Sequence, residues 1–334
     1  MITLQHVYLL VGCLFVVFAY LSVRDAANPK RWTTGLFWAL FATSFLAGNY
    51  LGDLGNGVLV LSMALIAGGG GLGIGKPTTT SGEERQASSQ RFGNWLFLPA
   101  LVIPVVTLVG TFAIKGLGPF VIEGLDWTIV VDPVRVFGVP LGEEKQATLI
   151  SLAAGAVIAA FLAVVLLRQP LSSPFQEGRR LMDVIGWAAL LPQMLASLGA
   201  VFAVAGVGQI IGGIASAWVP AESLVAAVVV YCVGMALFTM IMGNAFAAFP
   251  VLTAGVGIPF LIQHFGGEPA AVAAIGMLAG FCGTLMTPLA ANFNIVPAAL
   301  LDLKDRNGVI LAQIPTALAM LAINTVLMYV LAFR

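Results

Sequence analysis

Met240-Ile241-Met242-Gly243-Asn244-Ala245-Phe246-Ala247-Ala248-Phe249-Pro250 and Gly283-Thr284-Leu285-Met286-Thr287-Pro288-Leu289-Ala290-Ala291-Asn292-Phe293-Asn294 interrupt the apolar sequence that runs from Leu224 to Ala299. Each places Gly, Asn or Thr beside a Pro at what should be membrane depth. Exposed backbone polar groups cannot face lipid, so such breaks persist only where they are buried in protein or line a cavity. Paired broken helices are a common way to build a solute site in a secondary transporter. The structural alternative is two Pro kinks whose buried amides hold neighbouring helices together.

Composition supports a membrane setting. Of 334 residues, 60% are hydrophobic and 9% are charged, whereas a soluble domain carries roughly a quarter charged residues. Several apolar runs reach the ~20 residues a spanning helix needs. Net charge is zero, which gives no electrostatic case for nucleic acid. Cys13, Cys232 and Cys282 lie inside apolar runs without metal-like spacing and read as small buried hydrophobes.

Outward from the breaks, the expectation is an all-α polytopic membrane protein with about eight transmembrane helices, a re-entrant hairpin and a broken helix. Leu4–Val23 lacks a basic leader and is long for a signal peptide, so it is read as a retained helix. Further spans are expected near Trp32–Tyr50, Val58–Gly75, Trp95–Lys115, Ala147–Leu167, Leu181–Ala205 and Val309–Phe333. Pro99 and Pro104 should bend the fourth. Residues 1–180 form a scaffold with loops at 76–93, expected mobile, and 116–146. The second loop is acidic (Glu123, Asp126, Asp132, Glu143, Glu144) and partly extended, with a small hairpin. Residues 181–334 form the transport half, with the hairpin at 224–262 and the broken helix at 269–299. Gly206–Pro220 is expected to lie along the interface.

Orientation follows from Lys and Arg in the links. Arg24, Lys30 and Arg31; Lys76, Arg85 and Arg91; Arg168, Arg179 and Arg180; and Lys304 and Arg306 make eleven of the fifteen basic residues. All four groups are assigned to the cytoplasm, which puts the N-terminus outside. The parity closes if 224–262 enters and leaves on the outer side, with Gly243-Asn244 near its tip.

Other motifs are weaker. Gly68-x-Gly70-x-x-Gly73 and Gly70-x-x-x-x-Gly75-Lys76 imitate nucleotide loops, but a spanning helix precedes them and Pro77 follows the Lys. A flexible helix end is expected instead. Asp53 and Asn56 mark an outer corner. Gly208-x-x-x-Gly212 suits close helix packing. An intramembrane enzyme needs titratable groups at depth; the candidates Asp183 and His264 sit at helix ends, so no enzymatic activity is expected.

Neither Leu224–Gly267 nor Pro269–Leu301 contains Asp, Glu, Lys or Arg. A site there has to handle charge with peptide dipoles. Half-helix N-termini suit a carboxylate. Freed carbonyls with the side-chain oxygens of Asn244, Thr287, Asn292 or Asn294 suit a hard cation. The substrate-binding candidates are Gly243, Asn244, Ala245, Thr287, Asn292 and Asn294, with sodium at Asn244, Thr287 and Asn292. No cofactor is expected; sodium or a proton would be the coupling ion.

At these residues the chain resembles the ion transporter superfamily of carboxylate carriers. Met242–Pro250 looks like its Ser-Asn-Thr hairpin tip, and Gly283–Asn292 looks like its second broken helix. The resemblance implies an elevator mechanism. Gly243 and Ala245 stand where that family has hydroxyl residues, which weakens the case for sodium. Across the whole chain, Met1–Arg31, the Gly52-Asp53-Leu54-Gly55-Asn56-Gly57 corner and the C-terminal half resemble a family formerly of unknown function and now described as a 5-oxoproline (pyroglutamate) transporter subunit. That likeness implies a bacterial inner-membrane location, a second small membrane subunit and a small carboxylate substrate, with a homo-oligomer as a further arrangement. Gluconate or a dicarboxylate is the alternative cargo, and a non-transporting scaffold subunit of a two-component permease is the alternative role.

Overall fold

The computed structural model describes residues 1–334 except 77–80, 122–127, 137, 219–221, 302, 306 and 334. Pro77, Glu123, Asp126, Pro220 and Arg306, all used above, lie outside the described residues. Among the described residues, seven helical stretches are long and apolar enough to cross a membrane, and the chain is a multi-pass, all-α membrane protein. The described strands form only two small antiparallel hairpins, β1–β2 (Leu117–Val121, Thr128–Val131) and β3–β4 (Arg135–Val136, Val139–Pro140). The chain divides into two compact units, Met1–Asp183 and Val184–Arg334.

The first unit begins with α1 (Leu4–Arg24) and α2 (Arg31–Gly68). A straight helix of 38 residues would measure about 57 Å, roughly twice the hydrocarbon thickness of a bilayer. Gly52 prevents that: its φ of 61° and ψ of −176° leave the helical region. The hydrogen bonds show the consequence. Asn49 Nδ2 donates to Gln5 Oε1 at 3.1 Å, so the limb 31–51 runs antiparallel to α1. Lys30 Nζ then donates to Gly70 O and Thr33 Oγ1 to Gly71 O, so the limb 53–68 has returned to the start. Asn56 Nδ2 donates to Gly48 O (2.9 Å) across the bend, which gives the Asp53–Asn56 corner a structural role. Phe15, Phe18, Phe37, Trp38, Phe41 and Phe45 interlock α1 with the first limb.

The glycine tail after α2 is not a loose end, contrary to expectation. Asn28 Nδ2 donates to Gly73 O (2.8 Å), Gly73 N to Thr34 Oγ1 (3.0 Å) and Lys76 N to Asp25 Oδ2 (3.0 Å). A Cβ on Gly73 would collide with the Asn28 side chain, and one on Gly75 with the Asp25 carboxylate. Glycine is needed here for close approach. Residues 82–92 also depart from the expected mobile loop. They form α3 (Gly82–Phe92), started by a capping box in which Ser81 Oγ accepts from Glu84 N and Glu84 Oε2 accepts from Ser81 N.

A short 3₁₀ turn leads into α4 (Leu98–Lys115), which contains Pro104 and packs against α5 (Ala147–Leu167). Gly110 against Ser151 and Gly155 against the Ile103 backbone bring these helices close. The N-terminus meets the segment after β4 through Ile2 N to Leu141 O (2.9 Å) and Glu143 N to Ile2 O (2.9 Å). At the opposite end, Arg179 Nη2 meets Asp25 Oδ2 at 2.6 Å. The links after α1, after the second limb of α2 and after α5 therefore share one end of this unit.

The predicted span 181–205 is not one helix. α6 (Ser173–Ile185) starts eight residues earlier and is amphipathic, and Gly186 (φ 55°) ends it before a short 3₁₀ turn. α7 (Leu191–Val204) and α8 (Val207–Trp218) follow, separated by Gly206 (φ 71°), so the stretch expected to lie irregularly on the interface is largely helical. α9 (Leu224–Met242), α10 (Ala245–Leu252) and a π-helix (Thr253–His264) come next, then α11 (Pro269–Thr284), α12 (Ala291–Leu300) and α13 (Gly308–Ala332). Gly208 and Gly212 of α8 lie against the Gly255 backbone of the π-helix, as the small-residue spacing implies. Glu268 caps α11, accepting from the amides of Ala270 and Ala271, which accounts for that acid structurally.

Candidate functional site

Four helix ends converge in the second unit. α9 stops because Gly243 adopts a left-handed conformation (φ 70°), and Gly243 N donates to Thr239 O at 2.7 Å. The chain turns at once: Asn244 Oδ1 accepts from Phe246 N (2.8 Å) and caps α10. Tyr231 of α9 reaches Thr253 of the π-helix, with 3.0 Å between their hydroxyl oxygens, so the two arms run antiparallel. The arms have 19 and 20 residues, about 28 and 30 Å, and each is long enough to cross the hydrocarbon.

α11 runs alongside α9. Gly276 packs on Tyr231, Gly280 on Met235 and Thr239, and a Cβ on Gly283 would enter the Ala236 carbonyl. Its 16 residues give about 24 Å of helix, short of the ~30 Å core, before residues 285–290 leave helical form.

The two breaks touch. Thr287 Oγ1 donates to Met240 O (2.9 Å), one of the carbonyls freed at the end of α9, and accepts from Leu289 N (3.3 Å). A Cβ on Gly243 would come within 2.7 Å of Leu289 Cβ and of its carbonyl oxygen. Asn294 Nδ2 donates to Thr284 O (2.8 Å) and Thr287 O (2.6 Å), stitching α12 back to the end of α11. The N-termini of α10 and α12 thus lie beside the C-termini of α9 and α11, and none of these four helices carries a charged side chain.

The structure brings together Gly243, Asn244, Ala245, Thr287 and Asn294. Gly243, Ala245, Thr287 and Asn294 are buried and Asn244 is half-buried, whereas Asn292 is exposed. The sodium trio is not assembled: Asn292 faces outward, Asn244 Oδ1 accepts a backbone amide, and the Thr287 hydroxyl spends its proton on Met240 O. Two other buried oxygens, Thr239 Oγ1 and Asn294 Oδ1, have no hydrogen-bond partner among the described residues. Thr239 escaped the sequence reading because a threonine inside an apolar helix carries no motif. His264, at the end of the π-helix, stacks its ring edge-on against Phe265.

The profile of a family described as protein of unknown function, DUF979, matches residues 5–333. The chain belongs to that family. No curated protein and no solved structure matches it. The matched residues extend over both units and include the junction of the breaks and the α1–α2 corner.

Proposed function

We propose that this chain is the membrane subunit of a secondary transporter for a small carboxylate, with 5-oxoproline as cargo, taken inward by cation symport through an elevator-like movement. The observation that carries the proposal is the contact between the two breaks, with Thr287 Oγ1 on Met240 O at 2.9 Å. Two helix N-termini each offer about half a positive charge and free N–H groups to a carboxylate. Apolar surroundings without formal charge strengthen those dipoles relative to water. On this view the chain is not an enzyme, the hairpin 224–262 enters and leaves the bacterial inner membrane from the outer side, and the N-terminus lies outside. Full-length arms keep the same parity whether the tip stops within the bilayer or reaches its inner face.

A second reading has a specific support. Asn292 is exposed and Asn244 only half-buried at the junction, which suits a site completed by a second membrane subunit or by another copy of the chain. The chain would then be the scaffold or half-site of a two-component permease. Uptake of labelled 5-oxoproline, gluconate and a dicarboxylate into liposomes, with and without the second subunit, separates the two.

Asn244→Ala and Thr287→Ala are each expected to reduce uptake to background while the protein still inserts. Wild-type uptake in both variants would remove the junction from the transport path.

A further inference from the structure

We propose that the Asp25–Arg179–Asp183 cluster of the first unit is a proton-binding site in which Asp183 takes up one proton.

Arg179 of α6 lies between two carboxylates. Its Nη2 is 2.6 Å from Asp25 Oδ2 and its Nε is 3.2 Å from Asp183 Oδ2, and the three side chains are 4%, 9% and 1% exposed. One cation against two anions leaves a net charge of −1 in a nearly closed site, and unbalanced buried charge is costly. A proton removes it, converting the cluster from −1 to neutral with an Asp25–Arg179 ion pair and a carboxylic acid.

The geometry decides which carboxylate accepts. Asp25 receives three donors: Arg179 Nη2 at 2.6 Å, Ala27 N at 3.0 Å and Lys76 N at 3.0 Å. Asp183 receives only two longer ones, Arg179 Nε at 3.2 Å and Trp38 Nε1 at 3.2 Å. Charged groups facing Asp183 are Arg179 on its own helix and Asp25 from the α1–α2 corner. Arg180 pairs with Glu177 at 2.7 Å among partly exposed groups, and Lys30 Nζ is engaged by Gly70 O. α6 is not among the helices long and apolar enough to cross a membrane. Burial pushes the Asp183 carboxyl above the ordinary aspartate value, against the pull of Arg179 and the Trp38 N–H. Burial also raises Asp25, but the Arg179 and backbone hydrogen bonds outweigh it and hold that carboxyl below the ordinary value. As pH falls, Asp183 therefore protonates first. A metal cation would have to sit against the Arg179 guanidinium with two carboxylates for ligands, whereas hard cations need six or more oxygens.

Infrared titration of the purified full-length protein across roughly pH 4 to 9 tests the site independently of transport. Wild type is expected to show a carboxylic-acid carbonyl band with a midpoint above the ordinary aspartate value of about 3.9. Asp183→Asn should remove that component and leave the bands of the other carboxylates. Trp38→Phe should shift its frequency by removing one hydrogen bond. Asp25→Asn should keep the band but move its midpoint to lower pH, because a like charge is gone and Arg179 then serves Asp183 alone. A wild-type titration that matches that of Asp183→Asn, with no component lost, overturns the site. If Asp183→Asn does not fold, an unchanged band in both Trp38→Phe and Asp25→Asn overturns it.

Discussion

Replacing Gly243 by valine is expected to reduce uptake to background in protein that still inserts, with alanine intermediate. Gly243 has a φ of 70°, a conformation costing an L-residue roughly 1–2 kcal/mol. Its missing Cβ is also what admits Leu289, since an added one would lie 2.7 Å from Leu289 Cβ and O and 2.8 Å from its carbonyl carbon. Those neighbours include backbone and cannot swing aside. The hairpin tip must move away from residues 285–290, and the Thr287 bond to Met240 O depends on that approach. Labelled-acid uptake and thermal unfolding in detergent would be followed together. Two variants that unfold a few degrees earlier yet transport normally would show that contact between the breaks is mere packing.

Arg179→Met should be the most destabilising single change in the first unit. Removing one partner of a buried ion pair typically costs about 3–5 kcal/mol, because the remaining charge is left uncompensated. Here two carboxylates lose their shared guanidinium. Lysine is a poor substitute, since one ammonium cannot reproduce the fork that spans Asp25 and Asp183. The loss should shrink as pH falls, because both carboxylates then take protons, Asp183 before Asp25. Adding Asp25→Asn and Asp183→Asn should restore most of the stability. The lesion should also free the glycine tail, whose Lys76 amide rests on Asp25, so trypsin should cut near Arg85 and Arg91 sooner. Unfolding temperatures matching wild type at neutral pH would contradict the role given to the cluster.

The long spans and both breaks were legible in the sequence because each depends on local rules. Apolar length marks a span, and Gly-Asn or Thr-Pro inside such a run marks an interruption. Gly52 within a polar corner likewise signalled the bend of α2. What escaped was tertiary. Arg179 counted only as a topogenic charge, because its partner Asp25 lies 154 residues away. The glycines at 69–75 suggested looseness, although their small size serves contact with Asn28 and Asp25. Gly186 inside an apolar stretch gave no warning that helix 181–205 would divide. The twelve-residue π-helix has no simple pattern, and such turns are rare and usually short. At the candidate site, composition pointed to the two breaks but could not tell Asn292, which faces outward, from Asn294, which is fully buried two residues on.

The measurement that bears most directly on the junction is protection of a single cysteine. With Cys13, Cys232 and Cys282 replaced, Asn244→Cys would be alkylated in membranes with and without 5-oxoproline, alongside Leu237→Cys on the exposed face of α9. Slower modification of position 244 alone, graded with the concentration of the acid, is the predicted result. Equal rates at position 244 with and without 5-oxoproline, gluconate or a dicarboxylate would contradict a carboxylate site at the helix breaks.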